Sequence, residues 1–502
     1  KADVVAFANK YLTDQNYAAI YKKQGQDPNE KKMTKPSITP IVMNRDVTSD
    51  FLSEIQNSNV KPIEPVFLDF KKDLSQLKAK SNIPVLYKQN TSNDLFQLIY
   101  VFDMGNNNDK VLGTAFDYID YLGTSDMTPE QLKSEFYRLA CTFRVVPGNE
   151  RTYVLLSGLN ENMPEAMKLF EKLMADAQVN KEAYTNMVAD ILKSRKDAKL
   201  NQMQNFRRLM SYGMYGPKSP ATNILTEAEL QNMDPQELID RIHNQNSYQH
   251  RILYYGPTSE KELLAIINKN HQAPKKLKEI PVGNEFPRLE TPVTQIFIAP
   301  YEAKQIYMTQ LSNRGDKFDP MIEPSRQMYN EYFGGGMNSI VFQEMRESRG
   351  LAYSAWAGLN RPSYLKYPYM LQTQIATQND KMIDAIKVFN DIINNMPESE
   401  AAFKLAKDGL TNRLRTERII KGDIIWSYIN AQDLGQNVDP RIKLYNDIQN
   451  MTLKNIADFQ KQWVKGRAYV YCILGDKKDL ELDKLKAVGL IEELTQEQIF
   501  GY

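Results

Sequence analysis

The sequence predicts an α+β protein of two homologous domains, each a largely antiparallel sheet covered by helices on one face. Three observations carry this. At 502 residues the chain is too long for one hydrophobic core. An amphipathic helix, a polar turn and a tyrosine-rich, β-branched strand recur as a unit: Met233-Asp-Pro-Gln-Glu-Leu-Ile-Asp-Arg-Ile with Arg251-Ile-Leu-Tyr-Tyr-Gly256, and Met451-Thr-Leu-Lys-Asn-Ile-Ala-Asp-Phe with Ala468-Tyr-Val-Tyr-Cys-Ile-Leu-Gly475. Upstream of both units the elements follow the same order, repeated after roughly 215 residues, as a duplicated domain would be.

Taken in order, residues 1–25 hold Val5-Ala-Phe-Ala-Asn-Lys-Tyr-Leu and Tyr17-Ala-Ala-Ile-Tyr-Lys, the closing helix and strand of the unit without its beginning. They are expected to complete a domain that lies before Lys1. Residues 26–60, with Pro28, Pro36, Pro40 and many lysines, read as a linker with one short helix from Thr48 to Gln56. The first complete domain, 61–280, opens with strands Ile83–Tyr87 and Leu95–Phe102, then a helix within Val111–Leu122. Thr128-Pro-Glu-Gln131 is a capping-box helix start. A strand pair follows at Thr142–Val146 and Thr152–Leu156, and then two long helical stretches.

The second domain, 281–502, repeats the plan. Strands Thr294–Ala299 and Gln305–Leu311 precede a helix over Ser325–Tyr332, Gly334-Gly-Gly336 and a helix from Asn338. The strand pair is Ala352–Ala357 with Tyr369–Ile375, and helices again follow. Asp234 with Pro235, and Thr452, are helix starts by their capping chemistry.

Composition excludes several classes. Lys and Arg number 63 against 62 Asp and Glu, a net charge of +1, so the chain lacks the basic stripe of a nucleic-acid binder. The basic residues between Lys193 and Arg208 alternate with Leu, Met and Phe, and read as the polar face of one long amphipathic helix. No run of about 18 apolar residues could span a bilayer. Cys141 and Cys472 stand far apart beside strand-like runs, as buried small apolar residues do. The opening has neither an initiator methionine nor a signal-peptide pattern, and the chain is expected to begin inside a longer precursor.

Chemistry concentrates in Phe333-Gly-Gly-Gly-Met-Asn-Ser-Ile-Val-Phe-Gln-Glu-Met-Arg-Glu-Ser-Arg-Gly-Leu-Ala-Tyr353. A glycine turn leads into a short helix, Gly350 stops it, and a strand begins, so Arg346 in the last turn and Tyr353 at the strand start converge. The triple glycine lacks the Lys-Ser/Thr of a phosphate cradle and suits a turn or the close approach of a peptide. No zinc-binding motif occurs in the chain. His243, His250 and His271 are its only imidazoles; His243 and His250, which straddle a helix-to-strand turn without acidic residues at metal spacing, are expected as partly exposed turn residues.

The segment from Gly335 to Ser354, on a duplicated α+β frame, resembles the C-terminal half of the insulinase/pitrilysin-type zinc metallopeptidases, the inverzincins. The architecture covers nearly the whole chain; the close sequence match is confined to those twenty residues. The resemblance implies one bowl-like half of a clamshell that closes around a peptide. In that family the first of four domains carries His-x-x-Glu-His and a distal Glu, and the fourth supplies an Arg and a Tyr seven residues apart. Arg346 and Tyr353 have that spacing.

Counting back from Gly123-Thr124 puts Thr114-Ala-Phe-Asp117-Tyr118 where the zinc motif would stand, so domain 61–280 resembles the family's metal-free third domain. Asp190, near the distal acid's place, is expected as a solvated helix residue. The implied roles are Tyr353 as catalytic oxyanion donor and Arg346 as substrate holder, with Gly335 and Gly336 beside the peptide. The plain alternative makes Arg346 a surface charge paired with Glu347 or Glu344, and Tyr353 a sheet-face residue; Arg349 is expected as a solvated helix-end charge. No metal or cofactor is expected in this chain. Zinc is implied in an N-terminal half bearing His-x-x-Glu-His, or in an equivalent catalytic subunit, and this chain alone is expected to be inactive. The alternative function is a non-catalytic peptide-binding or assembly subunit of the same fold.

Overall fold

The computed structural model of the chain describes residues 1–21, 25, 49–59, 61–303 and 305–502. They form two compact units, Lys1–Pro62 and Ile63–Tyr502. In the first, helix α1 (Ala2–Tyr11) buries none of its residues, and Phe7 lies against Tyr11 with ring centroids 4.6 Å apart. The strand expected at Tyr17 does not form: Tyr17 to Tyr21 is irregular and exposed. A strand exists only by pairing, and this segment has no partner strand among the described residues. Most of the linker, 26–48, lies outside the described residues, and α2 (Asp50–Asn57) occupies the place of the expected short helix.

The larger unit contains two six-stranded sheets. The first half runs β1 (Ser75–Lys78), β2 (Pro84–Gln89), β3 (Leu95–Phe102), α3 (Leu112–Tyr118), α4 (Pro129–Arg138), β4 (Cys141–Pro147), β5 (Thr152–Leu159), α5 (Met163–Asp176), α6 (Lys181–Lys199), α7 (Gln202–Tyr215), α8 (Glu227–Asn232), α9 (Gln236–Asn244), β6 (His250–Gly256) and α10 (Glu260–Asn270). The second half runs β7 (Gln295–Pro300), β8 (Gln305–Ser312), α11 (Glu323–Phe333), α12 (Ile340–Phe342), β9 (Ser354–Asn360), β10 (Met370–Gln378), α13 (Met382–Asn394), α14 (Glu400–Thr416), α15 (Asp423–Gln432), two further helices, β11 (Val470–Gly475) and β12 (Leu490–Glu493).

Strand order is β1-β2-β6-β3-β5-β4 in one sheet and β12-β7-β11-β8-β10-β9 in the other. From the second strand inward the two orders are the same, as duplication requires. Only the sixth strand differs: β1 joins antiparallel from the front of its repeat, and β12 joins parallel from the back. The sole parallel pair of the first sheet, β2 with β6, closes the long helical crossover between them, and β7 with β11 does the same in the second.

The central strands are buried on both faces, so successive residues enter different cores. Phe96, Leu98, Tyr100 and Phe102 of β3 face their own repeat's helices, while Ile99 and Val101 face the other way. What covers that second face comes from the other repeat. Ile424, Ile425 and Ile429 of α15 pack on Leu86, Ile99, Val101 and Leu253 of the first sheet. Reciprocally, Phe206 and Leu209 of α7 pack on Phe297, Leu311, Val470, Cys472 and Leu474 of the second. The exchange is close: a Cβ on Gly213 of α7 would lie 2.5 Å from the Cys472 sulfur. Each sheet thus has its own helices on one face, as expected, and one borrowed helix on the other.

The expected single long basic helix is instead α6 and α7, broken at Asn201, whose side chain accepts from the Gln204 amide and so starts α7. An asparagine there offers the backbone a cap in place of a further helical turn.

Candidate functional site

The glycine turn owes its form to a close approach. A Cβ on Gly334 would collide with the backbone oxygen and nitrogen of Ala357 in edge strand β9. Beside it, the Asn330 side chain accepts from Leu359 N–H at 2.9 Å and donates to Leu359 C=O at 3.1 Å, and Arg326 Nη1 donates to the same carbonyl at 2.9 Å. α11 therefore covers the β9 edge from Ala357 to Leu359, which removes that stretch as a template for another strand. Gly335, Gly336, Met337 and Asn338 lie exposed next to the uncovered end, and a Cβ at Gly336 would meet nothing within 4 Å.

Ser339, not Asn338, starts the next helix by accepting from the Phe342 amide at 3.4 Å. After α12 the backbone widens into a π-helix, Gln343–Ser348. Gly350, at φ +57°, ends it: its N–H donates to Arg346 C=O at 3.1 Å and Leu351 N–H donates to Met345 C=O at 2.8 Å. These nested bonds are each one residue wider than a Schellman closure, as the π turn dictates. The left-handed backbone at Gly350 is the one position here that requires glycine for its conformation. Leu351 is then fixed by Thr377, whose hydroxyl donates to its carbonyl, and Tyr353 N–H donates to Ala376 C=O at 3.0 Å.

The result brings Arg346 and Tyr353 together. The guanidinium carbon lies 5.8 Å from the Tyr353 ring centroid and 4.9 Å from that of Phe342, within cation–π range of both. Tyr353 is 75% exposed, and its hydroxyl makes no hydrogen bond among the described residues. The Arg346 side chain is 45% exposed, and its nearest carboxylate, Glu347, is 3.7 Å away. Arg349, at the helix end, keeps a 44% exposed side chain and pairs with Glu344 at 3.1 Å. A free phenol beside a loosely paired guanidinium can donate a hydrogen bond and bind an oxygen of an approaching backbone.

The zinc-motif position is not a metal site. Tyr118 is buried at the end of α3, donating to Asn180 C=O and accepting from Asn180 N–H at 2.8 Å. Burial, then the charge of Asp120, raises the Asp117 carboxyl above its ordinary range. Asp190 is exposed on α6. Among the described residues no group of three or more His, Cys, Asp or Glu is placed to hold a metal ion, so the donors present do not fit zinc. Among those residues, too, no helix is long and apolar enough to cross a membrane.

His250 corrects the sequence reading. His250 lies buried on β6, and the His271 side chain is 2% exposed at the end of α10. His243, on α9, is exposed, with its ring near the Ala177 carbonyl at 3.2 Å. The other two join Glu171, itself fully buried. No local motif signals this, because the three residues come from three separate elements.

Two repeats of one sheet plan define a duplicated α+β fold. Residues 250–410 match the family model described as the Peptidase M16 inactive domain. The crystal structure of a peptidase M16 inactive domain from Pseudomonas fluorescens superposes with a TM-score of 0.62 at 15% identity, over 81% of this chain and 98% of that one. The periplasmic protease PqqL from Escherichia coli gives 0.65 at 15%, over 95% of this chain and 50% of that one. The ferredoxin protease FusC, in complex with Arabidopsis ferredoxin, gives 0.62 at 11%, also over 95% and 50%. Among curated proteins, the Non-peptidase homolog YmxG of Helicobacter pylori is 28% identical over 152 residues, 29% of this chain and 34% of that protein. The chain thus spans half the length of PqqL and FusC, and its match spans about a third of the curated relative. Residues 250–410 are thus similar in sequence to the M16 inactive domain, and most of the chain shares its fold with those solved structures.

Proposed function

We propose that this chain is the metal-free half of a zinc metalloendopeptidase, enclosing a peptide together with an N-terminal half that bears His-x-x-Glu-His. Zinc and its activated water belong to that other half. Here, Tyr353 donates a hydrogen bond to the oxyanion formed when water adds to the scissile carbonyl, and Arg346 holds a substrate carbonyl or carboxylate through its planar fork. Gly335 and Gly336 leave room for the peptide backbone alongside. The observation that carries this reading is the pairing of an exposed phenol, free of internal hydrogen bonds, with a guanidinium 5.8 Å from its ring.

The test is coexpression with a half bearing the zinc motif. The pair is expected to cleave peptides and this chain alone to cleave none, while Tyr353→Phe in the pair lowers kcat roughly 100-fold or more, the usual effect of removing an oxyanion donor. Unchanged turnover in that variant ends the proposed role of Tyr353. A second reading, a non-catalytic peptide-binding or assembly subunit, draws support from the relative described as a non-peptidase homolog. In that case the assembled pair binds extended peptides and hydrolyses none.

A further inference from the structure

Glu171 interrupts an apolar helix face. In α5 it sits among Met163, Ala166, Met167, Phe170, Leu173 and Met174, all buried, and is itself 0% exposed. A carboxylate in that position needs donors and a counter-charge. Its donors are complete: Tyr100 OH at 2.9 Å and His271 Nδ1 at 2.6 Å reach Oε1, while Asn246 Nδ2 at 2.9 Å and Gln272 N–H at 3.0 Å reach Oε2. The two amide N–H groups can only donate, so Oε2 carries no proton; Tyr100 OH donates to Oε1, and the proton of the short Oε1–Nδ1 contact goes to the imidazole, the stronger base of the two, which leaves Glu171 a carboxylate.

The counter-charge follows from a proton count. His271 Nδ1 is committed to Glu171, and His250 Nδ1 lies 2.7 Å from Tyr248 C=O, an acceptor only, so both rings carry hydrogen on Nδ1. Their Nε2 atoms face each other at 2.8 Å. Two neutral rings would oppose two lone pairs at that distance. One extra proton turns the contact into a hydrogen bond and supplies the positive charge that Glu171 lacks. A tetrahedral metal at about 2.0–2.1 Å from each nitrogen would hold the two nitrogens roughly 3.3 Å apart, wider than the 2.8 Å between them.

We propose that Glu171, His271 and His250 form a single-proton clamp that ties α5, α10 and β6 together and opens on acidification, when a second proton enters the histidine pair. Two doubly protonated rings would then point N–H at N–H. Burial, then the charge of His271, pulls the His250 imidazole down to about 4, which places that second protonation below its ordinary range. The groups facing the clamp from the surrounding elements are few. β3 contributes Tyr100, whose phenol burial and Glu171 hold neutral, and the ring of Phe102. The short turn after α9 contributes Asn246. Lys80 and Lys275 line a cavity of about 330 Å³ that reaches His271, the route by which solvent protons arrive.

Side-chain ¹⁵N NMR of the full chain at neutral pH tests the proton count. One ring with hydrogen on both nitrogens and one with hydrogen on Nδ1 alone is the expected result; two singly protonated rings, or Nε2 signals shifted by stoichiometric bound metal, overturn the proposal. Protection of Asn246 and Gln272 from hydrogen exchange, taken relative to the intrinsic rate at each pH, is expected to fall as pH falls from about 6.5 toward 4 in the native chain, and to lose that dependence in His250→Phe, which fits beside Phe102 and cannot titrate. The same loss of protection in His250→Phe overturns the clamp, and if that variant fails to fold, the spectrum of the native chain still decides.

Discussion

At the scale of single residues, Asp103 joins chain segments that the sequence keeps far apart. It accepts from Arg151 Nε at 2.6 Å and Arg251 Nη1 at 2.8 Å, and Arg151 continues to Asp433 with two bonds of 2.6 Å. Burial raises the Asp103 carboxyl, but Arg251 and Arg151 outweigh it and hold the group below its ordinary value. A carboxylate depressed in the folded state adds stability that is complete above its unfolded value near 3.9 and is lost as pH falls through the folded value. Arg251→Ala should therefore move acid unfolding to higher pH, read by circular dichroism against pH; an unmoved midpoint would show that Asp103 does not need this partner. Arg346 and Tyr353 were legible in the sequence because seven residues and one glycine bring them together. Glu171, His250 and His271 were not, since their meeting depends on the packing of a helix, a strand and a second helix end.

At the scale of elements, periodicity identified the central strands and most helices; the capping box at Thr128 forms, and a helix starts at Thr452, as read. Short edge strands β1 and β12 escaped because four residues carry too little pattern to read. The π-helix at Gln343 also escaped, since one extra residue in a turn leaves the apolar spacing nearly unchanged. An amphipathic stripe tells that a face is buried but not against what, so the exchange of α7 and α15 lay outside the reach of the sequence. Gly213 is where that exchange can be probed. With a Cβ 2.5 Å from the Cys472 sulfur and 3.3 Å from Leu311 and Val470, Gly213→Ala should destabilise the chain by about 1–3 kcal/mol. Denaturant midpoints measure this, and Cys472→Ala in the same chain should recover part of the loss. A neutral Gly213→Ala would mean α7 sits less tightly than described.

At the scale of the whole unit, each sheet is completed by a helix of the other repeat, and Arg151 to Asp433 and Leu68 N–H to Asp439 at 2.9 Å fasten the halves further. Residues 63–502 are therefore expected to unfold in one cooperative transition, with calorimetric and van't Hoff enthalpies in agreement. Two separated transitions, or a soluble folded fragment 63–280, would contradict that coupling. The borrowed helices also constrain how the two copies can diverge. A change of volume beneath α7 has to be answered in β11, and one beneath α15 in β2 or β3, so neither copy drifts alone, and substitutions matched across the duplication are the trace such a history leaves.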